Sequence, residues 1–439
     1  YIEESFANIS RGYSISIDEM VVAWPSYEKS LELQAKNWRV LDPGGRLLAT
    51  APLVNVNLSL PALVQGVVAP TQIGIYGAEL VITRGADGHV GFQRRRARAD
   101  GAPMALVFEG DQSYSNFVRQ MLDQVKAAPN LANPASYLHT LSFQGALQFV
   151  DKRMDIVWEA PDAELFVRRQ GEDLAADVRL QLDMAGITTS ANFGLLYNEQ
   201  SGIIDVALAV ENFTPTVLAD LDDQLAALRG FQVPMDGRVA FQIDDAAGHL
   251  SDVSFDLAGE KGRINLPELF EQPLGVESLT LKGYFSDKDS LLVLEQAQAF
   301  FPSQAPHQPE LTLSGQVAFL TDATEISLDA KLRDLPADEL PIYWPKNAAR
   351  GGRNWVSSSI SAGVADEAWA SLALSVPRGP APAAALDVTS FDGGVSYSGL
   401  QVAYLKPMPP VAGVRGSGTF GLDQLTFTTQ EGQVEGLRL

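Results

Sequence analysis

Apolar and polar residues alternate along much of this chain with a period of two, the spacing typical of β-strands that bury one face. Val253, Phe255 and Leu257, for example, alternate with Ser254 and Asp256. Similar alternation recurs at 154–158, 178–184, 204–210, 239–243 and 326–332. The pattern predicts a mainly β protein in which each strand has one apolar and one wet face.

Glycine-containing turns separate the predicted strands. Asp42–Gly45 and Asp392–Gly394 provide the Asp and Gly residues that tight hairpin turns require. Because strands joined by short links pair antiparallel, these turns predict a long antiparallel meander. Gly416–Gly418 is expected to be a kink or bulge within a strand rather than the site of a nucleophile.

Only a few segments predict helices. The first lies near residues 115–127, where an apolar stripe ends before Pro129. The second lies near residues 215–229, with Thr214 as N-cap, Pro215 in the first turn and Gly230 at the end. A third, irregular helical patch is expected around 336–359.

So few helices cannot cover the apolar faces of so many strands. Three arrangements would solve the problem: two sheets packed face to face, a solenoid, or a sheet curled into a trough that holds something apolar. Periodicity alone leaves all three open.

Composition narrows the classes of partner. The chain has 439 residues and a formal net charge of −22, with 54 acidic and 32 basic residues. Such a charge repels phosphate backbones, so nucleic acid is not expected as a partner. The chain has no cysteine, which excludes disulfides and thiolate metal sites. It has no apolar run of membrane-spanning length and begins with Tyr1, so it is expected to be a piece whose anchor lies upstream.

Catalytic motifs are missing from the sequence. The four histidines are far apart, and neither a nucleophile elbow nor a phosphate-binding loop occurs. The acidic cluster Asp220–Asp223 has the pattern of a wet helix face rather than of a calcium loop. We therefore expect no enzyme activity, no cofactor and no metal. The basic run Arg94–Arg98 is either a solvated hairpin flank or a contact for anionic headgroups.

Two regions carry a resemblance to a known family. In the N-terminal part, Ser14–Trp24, Ala49–Leu60 and Leu80–Gly91 follow one another in an order that resembles the opening module of AsmA-like proteins. Further on, Leu340–Gly363 contains a Pro-x-Tyr-Trp-Pro motif that resembles the YhdP branch of the same superfamily. Its motif residues are Tyr343, Trp344, Pro345, Arg353 and Trp355.

The resemblance implies a fold and a function. AsmA-like proteins, among them YhdP and TamB, lie in the envelope of Gram-negative bacteria, anchored in the inner membrane by an upstream helix. The implied fold is mainly β: an elongated, twisted antiparallel sheet curled into an apolar groove, with two or three short amphipathic helices. The implied function is to carry phospholipid, or another acyl lipid, through the periplasm toward the outer membrane.

The resemblance also implies how the chain is divided into parts and which side chains line the groove. The expected parts are an N-terminal β module at 1–110, a continuing β-groove at 111–335, and a segment at 336–439 that holds the Tyr-Trp-Pro motif and terminal strands. The side chains expected to line the groove are the apolar members of the alternating strands: Phe143, Leu147, Phe149, Met154, Ile156, Trp158, Val178, Leu180, Leu182, Val206, Leu208, Val239, Phe241, Phe255, Leu257, Ile326 and Leu328.

Two other functions stay open at this point. One is an envelope assembly or scaffold factor that engages outer-membrane β-barrel clients through exposed strand edges. The other is a carbohydrate-binding or carbohydrate-active β-solenoid, which would carry carboxylates on a polar concave face. For the aromatic residues of the Tyr-Trp-Pro motif, the choice is between wedging the helical patch onto the sheet and shaping the groove.

Overall fold

The structure is a computed structural model, and it describes most of the chain. The described residues are 14–23, 31–41, 47–84, 90–92, 129–151, 156–171, 173–184, 187–219, 223–244, 249–304, 306–320, 323–346, 350–377, 387–405, 407–422, 424–434 and 437–438. The predicted helix near 115–127 and the basic run Arg94–Arg98 lie outside these ranges.

The chain is mainly β, as the alternation predicts, and it forms two compact units. The first consists of Tyr1–Asn212 with Gln242–His249, and the second of Phe213–Phe241 with Leu250–Leu439. The predicted three-part division stays a prediction.

The strands up to Phe213 form an open ladder in the order β3, β4, β5, β7, β8, β9, β10, β11, with β1 and β2 on β3 and β6 on β5. Their bounds are β1 Ser14–Ser16, β2 Glu19–Ala23, β3 Leu31–Leu41, β4 Leu47–Leu58, β5 Pro70–Arg84, β6 Val90–Phe92, β7 Thr140–Asp151, β8 Ile156–Gln170, β9 Asp173–Met184, β10 Ile187–Asn198 and β11 Ile203–Phe213.

The later strands form a second ladder in the order β14, β17, β18, β19, β20, β22, β23, β24, β25, while β12, β15 and β16 make a small separate sheet. Their bounds are β12 Phe231–Gln232, β13 Met235–Asp244, β14 His249–Gly259, β15 Gly262–Ile264, β16 Leu274–Val276, β17 Ser278–Ser286, β18 Leu291–Phe300, β19 Glu310–Phe319, β20 Ala323–Pro336, β21 Ile360–Ser361, β22 Val364–Pro377, β23 Asp387–Val402, β24 Val411–Gly421, β25 Leu425–Val434 and β26 Leu437–Arg438.

Among the described residues the α-helices are short: α1 Leu60–Val64, α2 Leu340–Tyr343 and α3 Arg350–Ser359. Together with a 3-10 turn at Ala337–Glu339, α2 and α3 confirm the predicted helical patch around 336–359. The sequence analysis missed α1, which begins where the Ser59 hydroxyl accepts a hydrogen bond from the Ala62 N–H.

The predicted second helix is wrong in type. The segment 215–229 contains two 3-10 stretches, Pro215–Leu218 and Asp223–Gly230, instead of an amphipathic α-helix. Thr214 stands at the N-cap position, but its side chain makes no capping hydrogen bond. Residues 220–222, which join the two stretches, lie outside the described residues.

The predicted antiparallel meander holds for every described strand pair except one. Strands β5 and β7 pair in parallel, with Ile73 opposite Leu141 and Ile75 opposite Phe143. Parallel strands need a long connection, and the chain from β6 to β7 supplies one of more than forty residues, between Phe92 and Thr140.

The glycine pair in β23 does not form the predicted turn. Gly393 and Gly394 lie inside the strand, opposite Ala370 and Trp369 of β22. A β-carbon on Gly393 would collide with the Phe420 ring, and one on Gly394 would lie 2.7 Å from the Trp369 indole nitrogen. These glycines therefore make room for flat aromatic side chains. At Gly416 the prediction of a bulge is confirmed by a register shift in β24.

Single-residue bulges keep the apolar residues of long strands in phase. In β18 the apolar positions are Leu292 and Leu294, followed by Ala297 and Ala299. The step from Leu294 to Ala297 is three residues, so strict alternation would place the two pairs on opposite faces. A register shift between Leu294 and Ala297 absorbs the extra residue.

Similar shifts occur in the first ladder, at Gly77 of β5 and at Pro161–Asp162 of β8. Gly77 adopts a φ of 70°, and proline has no N–H to offer a neighbouring strand, so both residues suit a bulge.

Replacing Gly393 by alanine should destabilise the protein by about 1–3 kcal/mol, because the Phe420 ring must move. Gly352→Ala in α3 is the matched control, since its β-carbon would meet nothing within 4 Å. That change should be neutral or stabilise by up to about 1 kcal/mol. Urea unfolding of both variants measures the difference, and equal midpoints would contradict the packing.

Candidate functional site

In the second unit, cross-strand register places apolar residues opposite one another on seven successive strands, from β14 to β23. These rows define the apolar face of the second unit. One row is Phe255, Gly283, Leu294, Gly315, Leu328, Leu372 and Phe391; the next is Val253, Phe285, Leu292, Val317, Ile326, Leu374 and Val388; the third is Leu257, Leu281, Ala297, Leu313, Ala330, Ala370 and Gly393.

The opposite face of the same strands is polar and charged. Arg333 of β20 lies 3.0 Å from Glu367 of β22, and Lys331 lies 3.5 Å from the same carboxylate. The hydrogen bond from Arg333 is the main reason that the pKa of Glu367 is below its usual range. Ion pairs of this kind run across exposed strands and contribute little stability, but they keep this face wet.

Burial distinguishes the apolar face from an ordinary core. All of the larger side chains in the three rows are half-buried, whereas side chains sandwiched between two layers become fully buried. Half-burial is what neighbours on the same sheet provide when no second layer covers them. Within the part of the chain that the structure describes, these side chains therefore keep some apolar surface accessible.

One end of this face is closed. There Leu279 and Ala299 join Val233, Met235, Val276 and Phe301 in a buried cluster. Tyr343 of α2 packs on the same cluster, with its ring centroid 4.9 Å from that of Phe301. Burial, and then the Glu339 carboxylate, raise the pKa of Tyr343 to about 12.

Two glycines of the apolar face lie where a β-carbon would not fit. A β-carbon on Gly283 would come within 2.3 Å of the Val293 carbonyl oxygen and 2.7 Å of the Phe255 ring. One on Gly315 would come within 2.3 Å of the Ser327 carbonyl oxygen and 3.3 Å of a Leu328 methyl group. Each glycine thus allows close approach of a neighbouring strand and of one large side chain.

The first unit has a corresponding apolar face, from β4 to β11. One row is Val56, Ile73, Leu141, Val167, Ala176, Leu195 and Val206; the other is Val54, Ile75, Phe143, Leu165, Val178, Phe193 and Leu208. Val54 and Val56 are buried in a cluster that includes Leu63 of α1. Most members on the later strands are half-buried, as in the second unit.

The structure brings many of the predicted lining residues together by register. Phe143, Val178, Leu208 and Val206 lie in the rows of the first unit, and Phe255, Leu257, Ile326 and Leu328 in those of the second. Leu147 lies opposite Ala160, Leu180 opposite Ala191 and Leu182 opposite Thr189. The ring centroids of Phe149 and Trp158 are 5.7 Å apart. Val239 and Phe241 are half-buried in β13, and Ile156 is the first residue of β8. Met154 lies outside the described residues. Contact of any of them with lipid stays a prediction.

The residues of the Tyr-Trp-Pro motif separate into two groups. The Arg353 guanidinium, only 13% exposed, donates to the Pro341 carbonyl at 3.2 Å and pairs with Glu271 at 3.0 Å. The Lys346 N–H, just after Trp344 and Pro345, bonds the Leu269 carbonyl at 2.8 Å. These contacts and Tyr343 fasten the helical patch beside the closed end of the apolar face. Trp355 is 43% exposed and belongs to a different surface.

Sequence analysis missed several members of the rows. Leu292, Val317 and Leu374 complete a row that runs beside Ile326, and each could have been found from its own alternating strand. Val233, which helps to close the end of the face, could have been found from the short alternation of Phe231, Val233 and Met235. Phe301 directly follows Phe300, so its role carried no periodic signal.

Comparison with protein-family models, with curated proteins and with solved structures found no match for this chain. Within the described residues, no three His, Asp or Glu side chains come together as a metal site would require. No helix in those residues has the length and apolar character needed to span a membrane.

The contact of His307 and Gln308 with Asp334 of β20 should make the free energy of unfolding depend on pH. Burial acts to raise the pKa of Asp334, but hydrogen bonding outweighs it: the Gln308 N–H donates at 2.7 Å and His307 Nδ1 lies at 2.7 Å. The net effect is to lower the pKa of Asp334. This stabilisation is therefore present above the pKa of the unfolded state, and it is lost as pH falls through the pKa of the folded state.

Asp334→Asn should therefore lower the free energy of unfolding at pH 7 by no more than about 1 kcal/mol, because the site is largely exposed. Asparagine tolerates the positive φ of 52° at this position, so the backbone is unchanged. The difference from the native chain should shrink below about pH 4. Urea unfolding at both pH values tests this, and a difference independent of pH would refute it.

Proposed function

We propose that this chain is the periplasmic part of an inner-membrane-anchored AsmA-like protein that carries phospholipid along its apolar faces toward the outer membrane. The observation that supports the proposal is the apolar face of the second unit, which keeps its register over seven strands yet leaves its large side chains half-buried. The resemblance of the N-terminal segments and the Tyr-Trp-Pro motif to AsmA-like proteins also supports the proposal.

Acyl chains suit this surface in energy and shape. Removing an acyl chain from water contributes about 0.8 kcal/mol per buried CH₂, without any directed polar contact. The rows run across the strands, and Gly283 and Gly315 add no side chain of their own to the row that contains Phe255 and Leu328. A surface with many equivalent apolar positions lets an acyl chain move from one position to the next, whereas a single deep pocket would hold the acyl chain in place.

The experiment is native mass spectrometry of the purified chain, with lipid extraction, on a pair of neighbouring variants. Leu328→Asp places a charge on the apolar face, and Ser327→Asp places the same charge on the opposite, polar face of β20. We expect acyl lipid to copurify with the native chain and with Ser327→Asp, and at least roughly fivefold less with Leu328→Asp.

Circular dichroism shows whether each variant is folded. A photocrosslinker at 328 should give lipid adducts in cells, and one at 327 should not. A chain that carries no lipid, or equal lipid in both variants, would overturn the proposal.

A second candidate function is supported by the edge of β25. In the part of the chain that the structure describes, β25 pairs with β24 along one edge, and β26 covers the other only at Gln433 and Val434. Residues 424–430 carry no charge and no proline, the devices that usually protect an edge. Leu425 and Phe427 are 61% and 51% exposed.

Such an edge suits strand addition by a client protein, as a scaffold or assembly factor for the envelope would require. A photocrosslinker at Phe427 distinguishes this function from lipid carriage. Protein adducts at Phe427 with no lipid adducts at Leu328 would favour the scaffold, and the reverse would favour lipid carriage.

A further inference from the structure

One large aromatic side chain lies on the polar face of the second unit. Trp369 of β22 is 42% exposed, and it stands in register between Lys331 of β20 and Gly394 of β23. Trp369 has the same parity as Glu367, so it points away from the apolar row that contains Leu372. The sheet therefore presents this ring to solvent at a fixed position.

The indole of Trp369 leans across from β22 onto β23. A β-carbon on Gly394 would lie 2.7 Å from the indole nitrogen and 3.0 Å from the ring carbon Cε2. The ring thus occupies the space where a side chain of Gly394 would stand. Because one side of the ring rests against the backbone of β23, its exposed part is on the side that faces away from the sheet.

Polar side chains border Trp369 on this face. Those nearest in register and along the strand are Asp329, Lys331, Glu367, Ser371 and Asp392. We call these residues and Trp369 the tryptophan platform. The Ser371 hydroxyl donates to the Asp329 carboxylate at 2.6 Å, and the Lys331 ammonium lies 3.5 Å from the Glu367 carboxylate. The ring therefore has hydrogen-bonding groups around it instead of further apolar side chains.

Short polar side chains continue from the ring toward β25. Thr419 of β24 lies opposite Gly394, and Thr426 of β25 lies opposite Thr419. Ser417 and Thr428 are paired in the neighbouring row of the same face. Adjacent strands are about 4.8 Å apart, so the path from β23 to β25 is about 10 Å long, roughly the length of two sugar rings.

We propose that the tryptophan platform binds an oligosaccharide, namely a chain of pyranose sugars joined through equatorial bonds. Such a sugar has C–H groups on its flat faces, which can pack on the indole. Its equatorial hydroxyls lie at the rim, where carboxylate, ammonium and hydroxyl groups can bind them. Equatorial links make the chain an extended ribbon, which can follow the path from Trp369 to Thr426 across the strands.

Other classes of ligand match the tryptophan platform less well. Nucleic acid would bring phosphates against the carboxylates of Asp329, Glu367 and Asp392. A bilayer or an apolar protein surface would remove water from those carboxylates and bury only one ring in exchange. A sugar can hydrogen-bond to the same groups while it covers the ring. This inference goes beyond the proposed function, because it concerns the face opposite the apolar rows.

Isothermal titration calorimetry of the full chain with cellohexaose and with chitohexaose tests the proposal. We expect at least one of them to bind with a dissociation constant at or below roughly 1 mM. Maltohexaose, whose axial links curl the chain, should bind at least roughly fivefold more weakly. Trp369→Ala should weaken binding at least roughly tenfold because the stacking surface is lost, whereas Trp369→Phe should stay within about threefold of the native chain.

The matched control is Trp355→Ala. Trp355 of α3 is 43% exposed, nearly the same as Trp369, but it is not part of the tryptophan platform. This variant should bind the sugar like the native chain. Circular dichroism shows whether each variant is folded. If Trp369→Ala does not fold, Thr419→Val replaces it, and binding weakened by about threefold supports the proposal, whereas unchanged binding overturns it.

Two further results would overturn the tryptophan platform. One is a native chain that binds neither cellohexaose nor chitohexaose, and the other is equal binding by Trp369→Ala and Trp355→Ala. Copurified lipid, which tests the proposed function, is measured separately and should be the same in both variants. Loss of sugar binding with unchanged lipid, or the reverse, distinguishes a failure of one proposal from a failure of the other.

Discussion

The apolar faces depend on one constraint: successive residues of a strand point to opposite sides, so every apolar residue must keep the same parity as its neighbours across the sheet. A slip of one residue within a strand would move every side chain beyond that point to the opposite face of the sheet. The extra residue in β18 between Leu294 and Ala297, and the one at Pro161–Asp162 in β8, would each cause that slip if the strand were regular. Bulges at these places restore the phase, and the rows continue without interruption.

The rows also limit how much apolar surface the second unit exposes among the described residues. Exposed apolar patches larger than a few hundred Å² normally associate with something. Here the large side chains shield one another, and Phe255 over Gly283 shows how an aromatic ring can lie against the backbone instead of standing free. The polar face, with its crossed ion pairs and excess of carboxylates, provides the hydration.

Alternation made the class of fold predictable, and the register places some of the predicted lining residues in shared rows, as at Phe255 and Leu328. Their role as a lining stays a prediction. It could not reveal which residues lie opposite each other, since register depends on turn geometry and bulges that leave no periodic signal. Local chemistry also misled: Asp392–Gly394 has the composition of a turn, yet the packing of Phe420 and Trp369 places it within a strand.

Each strand of the second ladder takes its position almost entirely from the strands on either side of it. In such a nearest-neighbour arrangement, a hairpin can be duplicated or lost without disturbing the register elsewhere, provided that two strands change together and parity is kept. The length of the apolar face is then a quantity that evolution can adjust in steps of one hairpin, roughly 10 Å each. Adding a hairpin would therefore lengthen the apolar face without changing the register of the strands already present.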